Sequence, residues 1–227
     1  NLLYNDVMSK ILLTKPTLIM LYGFPGAGKT FLARQLADDV HAAHVQADRF
    51  RFELFEEPTA SKQENVIVSH LSQYMTEEFL NAGVSVIYDT NALRAGQRRA
   101  LRDIAKKAKA QTALVWLQID VEGAFTRVSK RDRRKLDDKY AVNLDRTTFD
   151  NVIGNMQNPQ PSEDYVVISG KHNYQTQRAA IIKKLYDLGL IESSSATDRL
   201  VKPGLVNLIP NQLRGRVDQS RRNIMIR

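Results

Sequence analysis

Residues 15–30 read KPTLIMLYGFPGAGKT, and this stretch decides the fold. Its first half is an unbroken apolar run ending at a glycine, the pattern of a strand buried on both faces. Its second half, Gly23-Phe24-Pro25-Gly26-Ala27-Gly28-Lys29-Thr30, satisfies the spacing G-x-x-x-x-G-K-[ST] in full. Glycines at these positions let the backbone close around phosphates, with N–H groups turned inward and a helix start behind them. The spacing assigns Lys29 to the β- and γ-phosphates and the Thr30 hydroxyl to a Mg²⁺ site, with Phe31 directly behind. After the loop, KTFLARQLADDV repeats Leu32, Leu36 and Val40 every four residues. Strand, loop and amphipathic helix thus follow in the order a phosphate cradle needs.

Working outward, AHVQAD, GVSVIYDT, QTALVWLQID and EDYVVISG read as four further strands. Helical patterns separate them, over 61–82 (Val68, Leu71, Met75 and Phe79 on one stripe), over 94–109, and over 175–188. This alternation predicts an α/β fold, a parallel sheet covered on both faces, with ligands at the carboxyl ends of the strands. Residues 1–190 are expected to form one domain. Residues 191–227, a polar linker (ESSSATDRLVKPG) and a basic tail, are too few for a second core.

A hydrophobic content of 43% with 26% charged residues is that of a globular protein. No apolar run is long enough to span a bilayer, and the first fifteen residues lack the pattern of a signal peptide. The absence of cysteine excludes disulfides, thiolate metal sites and thiol catalysis, and fits a cytoplasmic location. His41, His44 and His70 have no metal-ligand spacing, and Trp116 and Phe125 read as core. A net charge of +8 favours anionic partners, nucleotides and nucleic acids among them, although solubility alone also accounts for it.

Two strand ends carry further chemistry. The second runs into ADRFR, placing Asp48 and Arg51 at the sheet edge; the third ends in YDTN, placing Asp89, Thr90 and Asn91 there. An aspartate at such an edge accepts a proton from an alcohol or holds a metal-bound water. The competing structural roles are a helix cap for Asp48 and a turn carboxylate for Asp89. Downstream, FTRVSKRDRRKLDDKY sets Arg127 and Arg131 four residues apart, on one face of a helix. Arginines on a mobile lid at about 127–145 neutralise a transferring phosphoryl group, and such a lid also excludes water. Over 94–109, Arg94, Arg98, Arg99 and Arg102 form an exposed charged face, alternatively a guide for a nucleic-acid backbone.

The succession GFPGAGKT, DRFR, YDTN and RVSKR resembles the P-loop kinases of the polynucleotide 5′-hydroxyl kinase type, grouped with AAA-like predicted kinases, over about residues 17–188. The resemblance implies a P-loop NTPase fold with a five-stranded parallel sheet in the order 2-3-1-4-5. It makes Asp48 the general base, Arg51 the contact to the acceptor-side phosphate, and Asp89 the residue that fixes this arginine. Arg131 becomes the lid residue on the β- and γ-phosphates, supported by Arg127. SGKHNYQ is similar to the family's adenine-side loop, which implicates Gly170, Lys171 and His172. The implied cofactors are ATP and Mg²⁺, and the implied acceptor is an RNA or DNA 5′-hydroxyl. Thr30 stands where the polynucleotide enzymes commonly have serine. Two other readings stay open: a kinase for a small alcohol, and an ATP-dependent switch acting through the basic tail.

Overall fold

The structure, a computed structural model, describes residues 11–90 and 92–191. Residues 1–10, Asn91 and the polar linker and basic tail from residue 192 lie outside the described residues. The elements run β1 (Thr17–Tyr22), α1 (Lys29–Asp39), β2 (Ala43–Gln46), α2 (Ala47–Leu54), α3 (Lys62–Asn81), β3 (Val86–Asp89) and α4 (Ala95–Lys107). They continue with β4 (Gln111–Gln118), α5 (Val121–Ser129), α6 (Arg146–Gly154), β5 (Tyr165–Ser169) and α7 (Tyr174–Asp187), with 3₁₀ turns at Leu136–Asp138 and Pro161–Glu163.

All four strand pairings are parallel, and the order is β2-β3-β1-β4-β5, as expected. Every residue of β1 is buried because the strand is covered from both sides. Ile19 and Leu21 pack under α1 and α7 with Leu32, Leu36, Ile181 and Leu185. Leu18, Met20 and Tyr22 point the other way, toward Leu80 of α3 and Leu101 and Ala105 of α4. Each such aliphatic side chain contributes about 1.5–3 kcal/mol on burial. The register pairs Gln46 with Asp89 and Tyr22 with Trp116, so the segments that follow β2, β3, β1 and β4 emerge along one edge.

Two helices differ from the expectation. In α3 the deepest stripe is Glu64, Val68, Ser72, Thr76 and Leu80, one residue round from the one containing Leu71, Met75 and Phe79. Small hydroxyl residues can take the innermost positions because Ser72 and Thr76 donate back to the carbonyls of Val68 and Ser72. In α4 the arginines do not form one exposed face. Arg98 is fully buried, and with Arg102 it grips Glu163, at 2.8 Å each. Its guanidinium also donates to the carbonyls of Ala92 and Leu93 and lies 5.1 Å from the Tyr22 ring centroid. A buried charge persists only with such partners. Arg98 therefore fastens the loop after β3 to the chain leading into β5 and is lost to any nucleic-acid surface.

Candidate active site

At the end of β1 the chain reverses through the glycine loop. A Cβ on Gly26, whose φ is +82°, would strike the carbonyl oxygen of Ala124 in α5, so glycine is required there. Gly28 adopts a left-handed conformation and is the N-cap of α1, yet it brings no side chain to cap the helix. The first-turn amides of Lys29, Thr30 and Phe31 lack acceptors within the helix. A Cβ at Gly28 would meet open space. Free helix-start amides beside open space suit the phosphates of a nucleotide. Lys29 Nζ curls back into the loop, donating to the carbonyls of Gly23 and Phe24 at 2.9 Å. Desolvation lowers its pKa to about 8, against the opposing attraction of Asp89.

The expected adenine-side segment abuts this loop. Gly170 follows β5, its amide donates to Gln118, and a Cβ there would collide with the carbonyl oxygen of Ala27. Lys171 pairs with Asp120 at 2.6 Å, while His172 is exposed. A groove of about 570 Å³ runs beside them, lined in part by Phe24, Trp116, Gln118 and Lys171.

On the other side of β1 stand the two aspartates. Asp48 is not the cap of α2; Gln46 is, and Asp48 occupies the first turn. Asp48 is exposed to solvent, though the protein around it partly desolvates its carboxylate. That desolvation, then the charge of Asp89, raises its pKa, while Arg131, Arg51 and Lys29 pull the other way. Asp89 is buried at the end of β3 and lies 3.2 Å from His44 Nε2. Arg51 is buried in α2, donating to Glu64 at 3.0 Å and Asn65 at 2.6 Å. Glu64 and Asn65, rather than Asp89, thus hold the arginine. Three α3 and β2 residues, His44, Glu64 and Asn65, are additions to the expected set. No local pattern announced them: Ser61 caps α3 by accepting from the Glu64 amide, while the Glu64 carboxylate accepts from Thr59 and Ala60.

The lid also differs. α5 ends at Ser129, so Arg127 and Arg131 do not share a helical face. Arg127 donates to the carbonyl of Gly170 at 2.9 Å, in the loop after β5, and Arg131 to that of Val142 at 3.0 Å. Arg131 nevertheless acts electrostatically on both Lys29 and Asp48. Among the described residues, no group of three or more His, Asp or Glu could hold a metal ion. The one expected Mg²⁺ contact, the Thr30 hydroxyl, suits an ion held largely by phosphate oxygens and water. No helix among the described residues is long and apolar enough to cross a membrane.

Residues 18–159, from β1 through both strand-end aspartates and the arginine-rich segment after α5, match the AAA domain family AAA_33. The chain belongs to this family. Among curated proteins none matches it. Similar solved structures include a sugar kinase from Janibacter sp. HTCC2649 without ligand (19% identity, TM-score 0.55, covering 81% of this chain and 99% of that one). Kti12 of Chaetomium thermophilum in complex with ADP-AlF3 is also similar (19%, TM-score 0.60, 75% and 97%). A third is a chain of the Pnkp1/Rnl/Hen1 RNA repair complex (21%, TM-score 0.50, 62% and 44%). The AAA_33 chain described here therefore shares the fold of these P-loop proteins, a five-stranded parallel sheet in the order 2-3-1-4-5 with helices on both faces.

Proposed function

We propose that the protein is an ATP- and Mg²⁺-dependent kinase that transfers the γ-phosphate to a hydroxyl acceptor, the 5′-hydroxyl of RNA or DNA. Residues 23–31 and the segment Gly170, Lys171 and His172 bind the nucleotide, with Arg127 bracing the adenine-side carbonyl. Mg²⁺ on the Thr30 hydroxyl would supply charge neutralisation at the phosphate oxygens. Asp48 takes the proton of the acceptor hydroxyl as its oxygen bonds to the γ-phosphorus and the bond to the β-phosphate oxygen breaks, releasing ADP. Its raised pKa suits a base working nearer neutrality. Lys29 and Arg131 meet the charge on the transferring group. Arg51, steadied by Glu64 and Asn65, faces the acceptor, and Asp89, oriented by His44, keeps Lys29 protonated.

The observation that carries this reading is the placement of a glycine loop with uncapped helix-start amides at the end of β1, beside β3 ending in buried Asp89 and β2 leading into Asp48 in the first turn of α2. The polynucleotide acceptor is supported by the succession of motifs and by the net charge of +8. A small-alcohol acceptor is the second reading, supported by the sugar kinase among the neighbours. Labelled γ-phosphate transfer to 5′-hydroxyl RNA, 5′-hydroxyl DNA and a panel of sugars separates the two. Label in an oligonucleotide is the expected result; label confined to a sugar would move the acceptor to the second reading.

A further inference from the structure

Helix α2 does not end its surface chemistry at Arg51. Phe52 lies one turn beyond Asp48 on the same side of the helix. The lid comes down on it: the Arg133 guanidinium sits 4.9 Å from the Phe52 ring centroid, and the Tyr140 ring lies 6.2 Å away at 48°. The Tyr140 hydroxyl donates to Glu53 at 3.3 Å, and Lys139 Nζ is 5.0 Å from the Tyr140 ring centroid. Both rings are half-buried, and neither belongs to the three core clusters. Filling the interior therefore does not explain them. Arg133 over Phe52 and Tyr140 against Phe52 and Glu53 thus lay the segment after α5 along the second turn of α2, just beyond Asp48.

We propose that Phe52 and Tyr140, flanked by Arg133 and Lys139, seat the first nucleobase of the acceptor strand. This rests on the polynucleotide reading above. In a 5′-terminal nucleoside one ribose separates the reacting oxygen from the base, a span on the order of one helical turn, about 5.4 Å. A hydroxyl at Asp48 thus puts its base beside Phe52. Aromatic faces stack bases with little regard to sequence, and the two cations meet the phosphates that follow. The seat recognises a nucleoside at the 5′ end without reading which base it carries.

The test compares kcat/KM for 5′-hydroxyl oligonucleotides whose first residue either bears a base or is abasic. It uses the wild-type chain, Phe52→Leu, Tyr140→Leu and Phe52→Tyr. The leucines keep apolar bulk without a π-face. The wild type should favour the base-bearing acceptor by roughly tenfold or more, mainly through KM. Both leucine variants should lose that preference while keeping their rate on the abasic acceptor, and Phe52→Tyr should retain it. Equal losses on both acceptors would show that the rings only latch the lid, and would overturn the proposal. Equal wild-type rates on the two oligonucleotides would overturn the seat and leave the polynucleotide kinase standing. Transfer to a small alcohol with none to either oligonucleotide would overturn both.

Discussion

Lys29 is drawn two ways. Burial in the loop disfavours its charge and Asp89 restores it, leaving a pKa of about 8. Its proton is held below that value and lost above it. Bound polyphosphate favours the charged form. Nucleotide affinity should consequently fall as pH rises through about 8, and Lys29→Ala should lose most of the affinity together with the pH dependence. Titration with a non-hydrolysable ATP analogue across that range measures both. Lys29 and Thr30 were expected at the site from spacing alone, because a phosphate cradle needs those residues beside those glycines. The partners of Asp89 and Arg51 were not. His44, Glu64 and Asn65 reach the site only through strand pairing and the packing of α2 on α3, which no local pattern encodes.

Among the elements, the loop after β5 bears on the phosphate loop through backbone alone, Gly170 against Ala27. Gly170→Ala must push one of the two loops aside. The expected outcome is nucleotide affinity lower by roughly tenfold to a hundredfold, the cost of a displacement near 1 Å in a binding cradle. Calorimetric titration checks it, and unchanged affinity would mean that the two loops move independently. Strands and the helices facing them were readable because burial on both sides leaves unbroken apolar runs and four-residue repeats. The arginine segment departs from its expected helical face for a physical reason as well. Continuous charge from Lys130 to Lys135 matches a helix face as well as a loop, and α5 stops at Ser129. The burial of Arg98 was likewise hidden, since its counter-charge Glu163 lies far along the chain, before β5.

At the scale of the whole molecule, two strongly depressed carboxylates hold packed segments together, Glu64 joining α2 to α3 and Glu163 joining α4 to the chain before β5. Hydrogen bonds from Thr59 hold Glu64 at a pKa of about 2, and those from Arg98 do the same for Glu163. Folded pKa values below the ordinary 4.5 mean that this stability is present above about 4.5 and lost as pH falls toward 2. Denaturant midpoints should decline across that window. Glu163→Gln, which strands the fully buried Arg98 charge, should cost about 3 kcal/mol at neutral pH and flatten the decline. The sheet order was expected from the resemblance and is the one formed. The central claim is that these strand ends perform phosphoryl transfer with Asp48 as the base. Its most direct test is the rate of labelled γ-phosphate transfer from ATP to a hydroxyl acceptor by wild type and Asp48→Asn, with ATP affinity measured beside it. Transfer slowed at least about a hundredfold with affinity little changed is the result expected of a positioned base. Undiminished transfer in Asp48→Asn would contradict it.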